Sequence, residues 1–415
     1  MYVNVIYLKK QLAKRKEQKL YEIKPIGSAI RFRRKEMNLT LEEACEGICS
    51  VSYMSKLENN LIEPGDQFID ALLDRFSLHE SIDADLEQYE KDKLELIHHL
   101  LFEKYLSEEI TSIYKLRDDH QALLMMMGYY ALSKNEVEAF NCYGHLRQYI
   151  SNMKDDELNL FFMVLSEMLY QKHRFSEAFD VLSLTPYLDE SFLNLNLTKM
   201  KLKLKNAFKM HKVSEIMNHY TVYVNKLVEL EHYQLLKKVR SEYIKYEAYY
   251  QLPEVIKKTA NQMHMLTEEE KDFAYSKSLF FQQEYEEFMK TAIKYYKFHS
   301  HWLLLYLIAL DTLKRKEELS LIISQKSELN DICLGSDLIL NHLSQKYCGT
   351  KESLLHYLRR DILGYKHISD DYHVLDYLMV DSQHLFSKYQ FYKEAVSVTS
   401  KYLPRLKMLK QAERV

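Results

Sequence analysis

Ser52, Tyr53, Ser55, Lys56 and Asn59 form a short polar set, almost free of carboxylates, in and just after the stretch Thr40–Glu58, T-L-E-E-A-C-E-G-I-C-S-V-S-Y-M-S-K-L-E. Hydroxyls, an amide and one ammonium at these spacings occupy one side of a helix, while Val51, Met54 and Leu57 recur at i, i+3 and i+6 on the other. Such a face suits hydrogen bonding to phosphate oxygens and base edges by a helix lying in a major groove. The elements that must position it are legible nearby. Thr40 and Glu43 have capping-box spacing, so a helix is expected to start at Leu41. Gly47 permits a turn, and Ser50 can cap a second helix. Two short capped helices joined by a tight turn have the layout of a helix-turn-helix. The plainer alternative is a surface helical hairpin.

Upstream, Ile26–Glu36 (I-G-S-A-I-R-F-R-R-K-E) predicts a third helix, with Ile26, Ile30 and Phe32 apolar and Arg31, Arg33, Arg34 and Lys35 on the other side. Residues 1–35 hold eleven Lys and Arg against two Asp and Glu, an excess of nine in a chain of net charge -3. Residues 36–80 hold only Lys56 and Arg75 against ten carboxylates. A positive footprint for a polyanion must therefore come from the first helix and the segment before it, and affinity from this source falls steeply with salt. The first 24 residues, with Lys9, Lys10, Lys14, Arg15, Lys16 and Lys19, read as an extra helix or as an arm following phosphate.

The segment from Ile26 to about Phe76 resembles a repressor-type helix-turn-helix domain of the lambda-repressor and Cro superfamily. Its string I-C-S-V-S-Y-M-S-K-L-E-N-N is similar to that of the RNPP (PlcR/NprR-like) peptide-pheromone-responsive transcriptional regulators of Gram-positive bacteria. The resemblance implies base contacts from Val51, Ser52 and Lys56 and a phosphate contact from Tyr53. The set expected to meet DNA is Arg31, Arg33, Arg34, Thr40, Ser50, Val51, Ser52, Tyr53, Ser55, Lys56 and Asn59. One position departs from the family, which commonly has Gln at the first residue of the second helix where this chain has Leu41. In this fold Arg34 and Glu58 also tend to face each other, which leaves Arg34 open to an internal ion pair.

The whole chain has 415 residues with only 8 Gly and 5 Pro, which predicts an almost wholly helical protein. No apolar run approaches the roughly 18 to 20 residues of a membrane span; Trp302–Leu310 is the strongest and stops at Asp311. The N-terminus lacks a signal-peptide core, so a cytoplasmic location is expected. Cys45, Cys49, Cys142, Cys333 and Cys348 are too sparse for a disulfide scaffold, and Cys45 with Cys49 has no second pair at metal spacing. The chain also lacks H-E-x-x-H, G-x-S-x-G, G-x-G-x-x-G and G-x-x-x-x-G-K. Neither an ordinary enzyme nor a resident cofactor is expected.

Beyond about Ile82 a weak repeat emerges. An aromatic residue precedes a small one by nine positions at Tyr130–Ala139 and Phe386–Ala395, and Tyr170 is followed by Ala178 and Phe179. Polar breaks S-K-N-E, Q-K-H-R and S-K-Y-Q lie between, and Pro186 and Pro404 are expected to end the second helices. Fainter units centre on Leu279 with Phe288 and Leu310 with Leu319. This predicts tetratricopeptide-like helix pairs stacked as a right-handed α-solenoid. Phe192–Asn206 alternates like a strand, but Leu193, Leu197, Met200 and Leu204 fit a helix over the full length. Lys199, Lys203 and Asn206, with Lys237, Arg240, Tyr243 and Tyr246, are the candidates for a peptide-binding wall; for each, a solvated helix face is the alternative.

The expected organisation is all-α: a basic extension (1–24), a helix-turn-helix domain (25–76), a connecting segment (77–90) and a helical repeat domain (91–415). The resemblance implies a homodimer on a two-fold operator, controlled by a short signalling peptide in the repeat domain. Two other outcomes stay open: a repeat domain that sequesters a regulatory protein partner, and a dimeric repressor that senses nothing.

Overall fold

The computed structural model describes residues 3–18, 26–58, 62, 64–78, 81–103, 113–115, 119–364 and 368–411. Among these the protein is all-α, with no β-strand, and no helix is long and apolar enough to cross a membrane. The chain forms two compact units, Met1–Met168 with Glu177–Leu202, and Leu169–Ser176 with Lys203–Val415.

In the first unit, α1 (Val5–Gln18) is an added helix rather than an extended arm. It buries Leu8, packs against the 3-10 turn Arg147–Asn152, and its nearly buried Arg15 donates to the Met153 carbonyl at 3.0 and 3.1 Å. Arg15 also pairs with Asp155 at 2.7 Å, so one charge of the basic run is committed inside the protein. Lys9, Lys10 and Lys14 stay exposed; the side chain of Lys16 and the whole of Lys19 lie outside the described residues. Helices α2 (Ile26–Glu36), α3 (Leu41–Cys45), α4 (Val51–Glu58) and α5 (Asp66–Phe76) enclose a small core of Ile26, Ile30, Ala44, Cys45, Met54, Leu57, Leu72, Phe76 and Leu78.

The expected connecting segment 77–90 lies partly inside α6 (Ser81–Phe102), one helix that runs on into the repeats. Its Leu96 fills the space a side chain would need at Gly128 of α7 (His120–Leu132). Antiparallel pairs then follow: α7 with α8 (Glu136–Leu146), and α9 (Asp155–Gln171) with α10 (Phe175–Leu182). Helices α11 (Leu193–Lys209) and α12 (Val213–Glu229), then α13 (Tyr233–Glu247) and α14 (Pro253–Gln262), continue the series. Next come α15 (Glu268–Phe281) with α16 (Tyr285–Ala292), α17 (Ser300–Thr312) with α18 (Lys316–Ser324), α19 (Leu334–Tyr347) with α20 (Lys351–Tyr357), and α21 (Tyr372–Lys388) with α22 (Tyr392–Gln411).

The small partners expected from the repeat, Ala139, Ala178 and Ala395, are all buried on second helices, as are Phe288 and Leu319 of the fainter units. Phe192–Asn206 is helical from Leu193, and its alternation has a cause: Leu195 and Leu202 are buried on one arc, Leu197 and Leu204 on the next. A helix packed on two sides needs that wider apolar arc.

The polar breaks turn out to share one backbone device. Lys134, His173, His211, Gln283, Lys314 and Gln390, each between the two helices of a pair, have φ between 51° and 67°. The next residue donates back to the carbonyl five before it, as in Asn135 to Tyr130, Arg174 to Leu169, Lys212 to Ala207, Glu284 to Leu279, Arg315 to Leu310 and Phe391 to Phe386. This is the Schellman closure, built here from residues with side chains instead of glycine. Pro404 does not end its helix: α22 runs through it to Gln411. Pro404 and Ser400 are both exposed, so the carbonyl that loses its partner can turn to water.

In the second unit the first helices of successive pairs, α13, α15, α17, α19 and α21, pack in a continuous row. The segment before α21 closes back on the turn between α9 and α10: Asp370 donates its backbone N–H to the His173 carbonyl at 2.7 Å, and His173 Nδ1 lies 3.1 Å from Ser369 Oγ. The buried Asp370 also accepts from Arg405 Nε at 2.7 Å.

Candidate functional site

Two surfaces have the residue types to bind something. On the α3–α4 segment, local hydrogen bonds set the geometry. Thr40 Oγ1 accepts from the Glu43 N–H at 3.2 Å and Glu43 Oε2 accepts from the Thr40 N–H at 2.7 Å, completing the box. These bonds from Thr40 hold the Glu43 carboxyl below its usual range. Gly47, at φ +75°, makes the turn, and Ser50 Oγ accepts from the Tyr53 N–H at 3.2 Å. Arg75 Nη1 donates to the Glu43 carbonyl at 3.1 Å, closing the far end of α3, a contact with no local sequence signal.

With Met54 and Leu57 buried in the core, α4 turns Val51, Ser52 and Lys56 outward; Val51 is 40% exposed, high for an aliphatic side chain. Ser55 is half-buried, Thr40 and Ser50 remain exposed as caps, and Asn59 lies outside the described residues. Tyr53 is more embedded than a free phosphate ligand: its hydroxyl accepts from the Gly65 N–H at 2.8 Å and its ring packs 5.1 Å from Phe68. Arg34 is engaged internally, through Nε to Glu58 Oε1 at 2.6 Å, Nη2 to Oε2 at 2.8 Å and Nη1 to the Leu39 carbonyl at 2.8 Å. Its hydrogen bond to Glu58 outweighs burial and raises the guanidinium pKa further. The arginine thus organises the core; on the same helix Arg31 and Arg33 are half-buried and Lys35 is exposed.

The second surface belongs to the helical row. Of the seven residues expected on a peptide-binding wall, Lys199 falls in the first unit and the other six in the second. Asn206 is fully buried and not presented to a ligand. Lys203 is half-buried. Lys237 lies 3.4 Å from Glu270 Oε2, and Arg240 Nη1 reaches Met265 Sδ at 3.8 Å, so both brace α13 against the next pair. Tyr243 stacks on Tyr220 at 4.1 Å, and Tyr246 packs 5.8 Å from Phe208. Burial, then Glu247, pushes the Tyr243 hydroxyl up to about 12. The two tyrosines are thus brought together in one aromatic layer; the cations are not.

One turn further along the same helices lies a denser group that the sequence reading missed. Lys245 donates to Glu242 Oε1 at 3.0 Å, and Lys277 donates to the Lys245 carbonyl at 2.7 Å. Lys209, Asp371, His211 and His373 act on the same groups electrostatically. The His373 ring lies 4.7 Å from Phe281, 5.5 Å from Tyr249 and 6.1 Å from His211. His211 Nδ1 is 2.9 Å from the Tyr250 hydroxyl. Glu242, Lys245 and Tyr249 are spaced to share a helix face, which was legible. That Asp371 and His373 complete the group was not, since they are more than 90 residues past Lys277.

Comparison with family models, with curated proteins and with solved structures returns no match.

Proposed function

We propose that this chain is a homodimeric DNA-binding transcription regulator whose helical repeat domain binds a short signalling peptide. The observation that carries the reading is the division of α4: Met54 and Leu57 are locked into the core while Val51, Ser52 and Lys56 face solvent, and the helix's one carboxylate, Glu58, is buried. The basic α2 beside it and the exposed lysines of α1 supply the charge that phosphate contacts require. For the peptide, support comes from the aromatic layer of Tyr220, Tyr243 and Tyr246 and from the charged group beyond it. A peptide can shift the paired heads only through its differential affinity for their arrangements; about 1.4 kcal/mol of such coupling changes operator binding tenfold.

The test is retention of promoter fragments from the protein's own locus across a salt series. Wild-type retention is expected to fall steeply with salt. Lys56→Ala is expected to weaken it by roughly tenfold, with an unchanged thermal midpoint and near-normal peptide affinity. Absence of salt-sensitive retention, with or without peptide, removes the proposal. For the sensor, a peptide encoded beside the gene, supplied at a hundred times its Kd, should stabilise the protein by roughly 2.7 kcal/mol. No shift would favour a repressor that senses nothing.

A further inference from the structure

The ends of α11, α13 and α15 converge on the start of α21, all within the second unit. Lys209 ends α11, Glu242 and Lys245 stand in the last turns of α13, Lys277 lies one turn before the end of α15, and Asp371 caps α21 by accepting from the His373 and Val374 N–H groups. His173, from the turn tied to Ser369, also acts on Asp371. The place is enclosed without being dry: Glu242 has protein on every side at longer range, yet 46% of its side-chain surface is open to solvent. Aromatic rings wall it, with Tyr249 4.8 Å from Phe281, His373 4.7 Å from Phe281, and Lys277 Nζ 5.7 Å from the Phe281 centroid.

Its charges do not balance. Three lysines, Lys209, Lys245 and Lys277, act with two carboxylates, Glu242 and Asp371. Burial alone would raise both acids, but Lys245, Lys209 and Lys277 hold Glu242 at about 2, and Lys209, His373 and His173 hold Asp371 at about 2. Burial, with Lys277 and Lys209, keeps His373 at about 4; burial, with His373 and Lys277, keeps His211 at about 3. Across pH 6 to 8 both acids are therefore charged and both imidazoles neutral. While Lys277 is an ammonium, below about pH 7, the three lysines outnumber the two carboxylates by one.

We infer that this cluster is a binding site for a single carboxylate carrying an apolar side chain, the carboxylate meeting Lys277 and Lys209 and the apolar group lying against Tyr249, Phe281 and His373. The ligand's origin as the C-terminus of a peptide rests on the sensing function proposed above; the site itself does not. Binding above pH 7 takes up one proton, which comes from solvent and resides on Lys277 Nζ. Burial, and then Lys209, bring that amine down to about 7 in the empty site, and a bound carboxylate supplies the missing counter-charge and restores the ammonium. The sign follows. Below pH 7 Lys277 is already charged and little is taken up; above pH 7 each ligand must bring a proton, and affinity falls as pH rises.

Isothermal titration calorimetry on the full-length protein, at pH 6.5 and 8 in two buffers of different protonation enthalpy, tests this with three probes: N-acetyl-leucyl-phenylalanine, its C-terminal amide, and octanoate. The free-acid peptide is expected to bind, the amide not. Affinity should drop about eightfold from pH 6.5 to 8, with uptake near one proton per ligand at pH 8 and about a quarter of one at pH 6.5. Lys277→Arg, always charged, should bind the acid at both pH values without uptake, and Lys277→Met should lose acid binding. Equal binding of acid and amide, no binding of either acid at millimolar concentration, or uptake that persists in Lys277→Arg overturns the inference. Binding of octanoate but not of the peptide overturns the peptide origin and leaves the site standing. Promoter retention is read separately, so a failed site does not imply a failed DNA head, nor the reverse.

Discussion

Lys346 and Lys277 are both partly enclosed lysines on first helices of the second unit, α19 and α15, and they have opposite fates. Lys346 donates to both oxygens of Asp311 at 2.9 Å and to Asp381 at 2.7 Å; Asp311 also accepts from the Tyr347 and Tyr377 hydroxyls, and Asp381 lies 2.8 Å from His342 Nε2. Burial opposes its charge, but the two carboxylates prevail and raise its pKa. Lys277 has a backbone carbonyl as its hydrogen-bond partner and two other lysines acting on it, and it falls to about 7. A lysine held between two carboxylates joins α17, α19 and α21 into a scaffold, whereas a lysine set among other lysines on the neighbouring helices asks for a ligand.

The contrast should appear most strongly in stability. Asp311→Ala is expected to cost about 3 to 4 kcal/mol in urea titration, because it leaves an ammonium and two hydroxyls without their shared acceptor. A loss under 1 kcal/mol would mean that the network is ornamental and the contrast empty.

Lysine removal should then give opposite signs. Lys346→Met is expected to destabilise, since Asp311 and Asp381 lose their cation. Lys277→Met is expected to leave the protein as stable or more stable at pH 7, where folding must hold an ammonium that prefers the unfolded chain. Because the folded pKa is about 7 and the unfolded value 10.5, the wild-type handicap is full below pH 7 and shrinks as pH rises to 10.5. The two melting curves should therefore converge in alkali; divergence there contradicts the assignment.

Smaller still is the effect of Glu242→Gln. Its half-open carboxylate adds little to stability, so a change below about 0.5 kcal/mol is expected. Removing that negative charge should, however, move the Lys277 titration, followed by NMR of the labelled amine, below 7. An unmoved Lys277 would show that Glu242 is not its neighbour in solution.

Much of the architecture was readable in residue spacing. The Thr40–Glu43 box, the Ser50 cap, the Gly47 turn and the Tyr130–Ala139 and Phe386–Ala395 pairings are local, and local rules of capping, φ and helical period apply without knowledge of the rest. Pro404 misled because a proline's effect depends on whether the freed carbonyl can reach water. Asn206 misled because α11 buries two arcs, and the 3.6 period cannot say how many sides of a helix will be covered.

By itself the sequence determined that the chain is helical, that its helices come in pairs, and that α4 has one apolar and one polar side. These follow from interactions within a few residues. Tertiary structure alone decided that Arg34 is consumed by Glu58, that Arg15 is tied to Met153 and Asp155, and that Lys209, Lys245 and Lys277 meet Asp371 and His373. The physical reason is range: a lysine's charge state depends on every charge within about a Debye length and on how much water is excluded, and the chain brings those groups together only by folding.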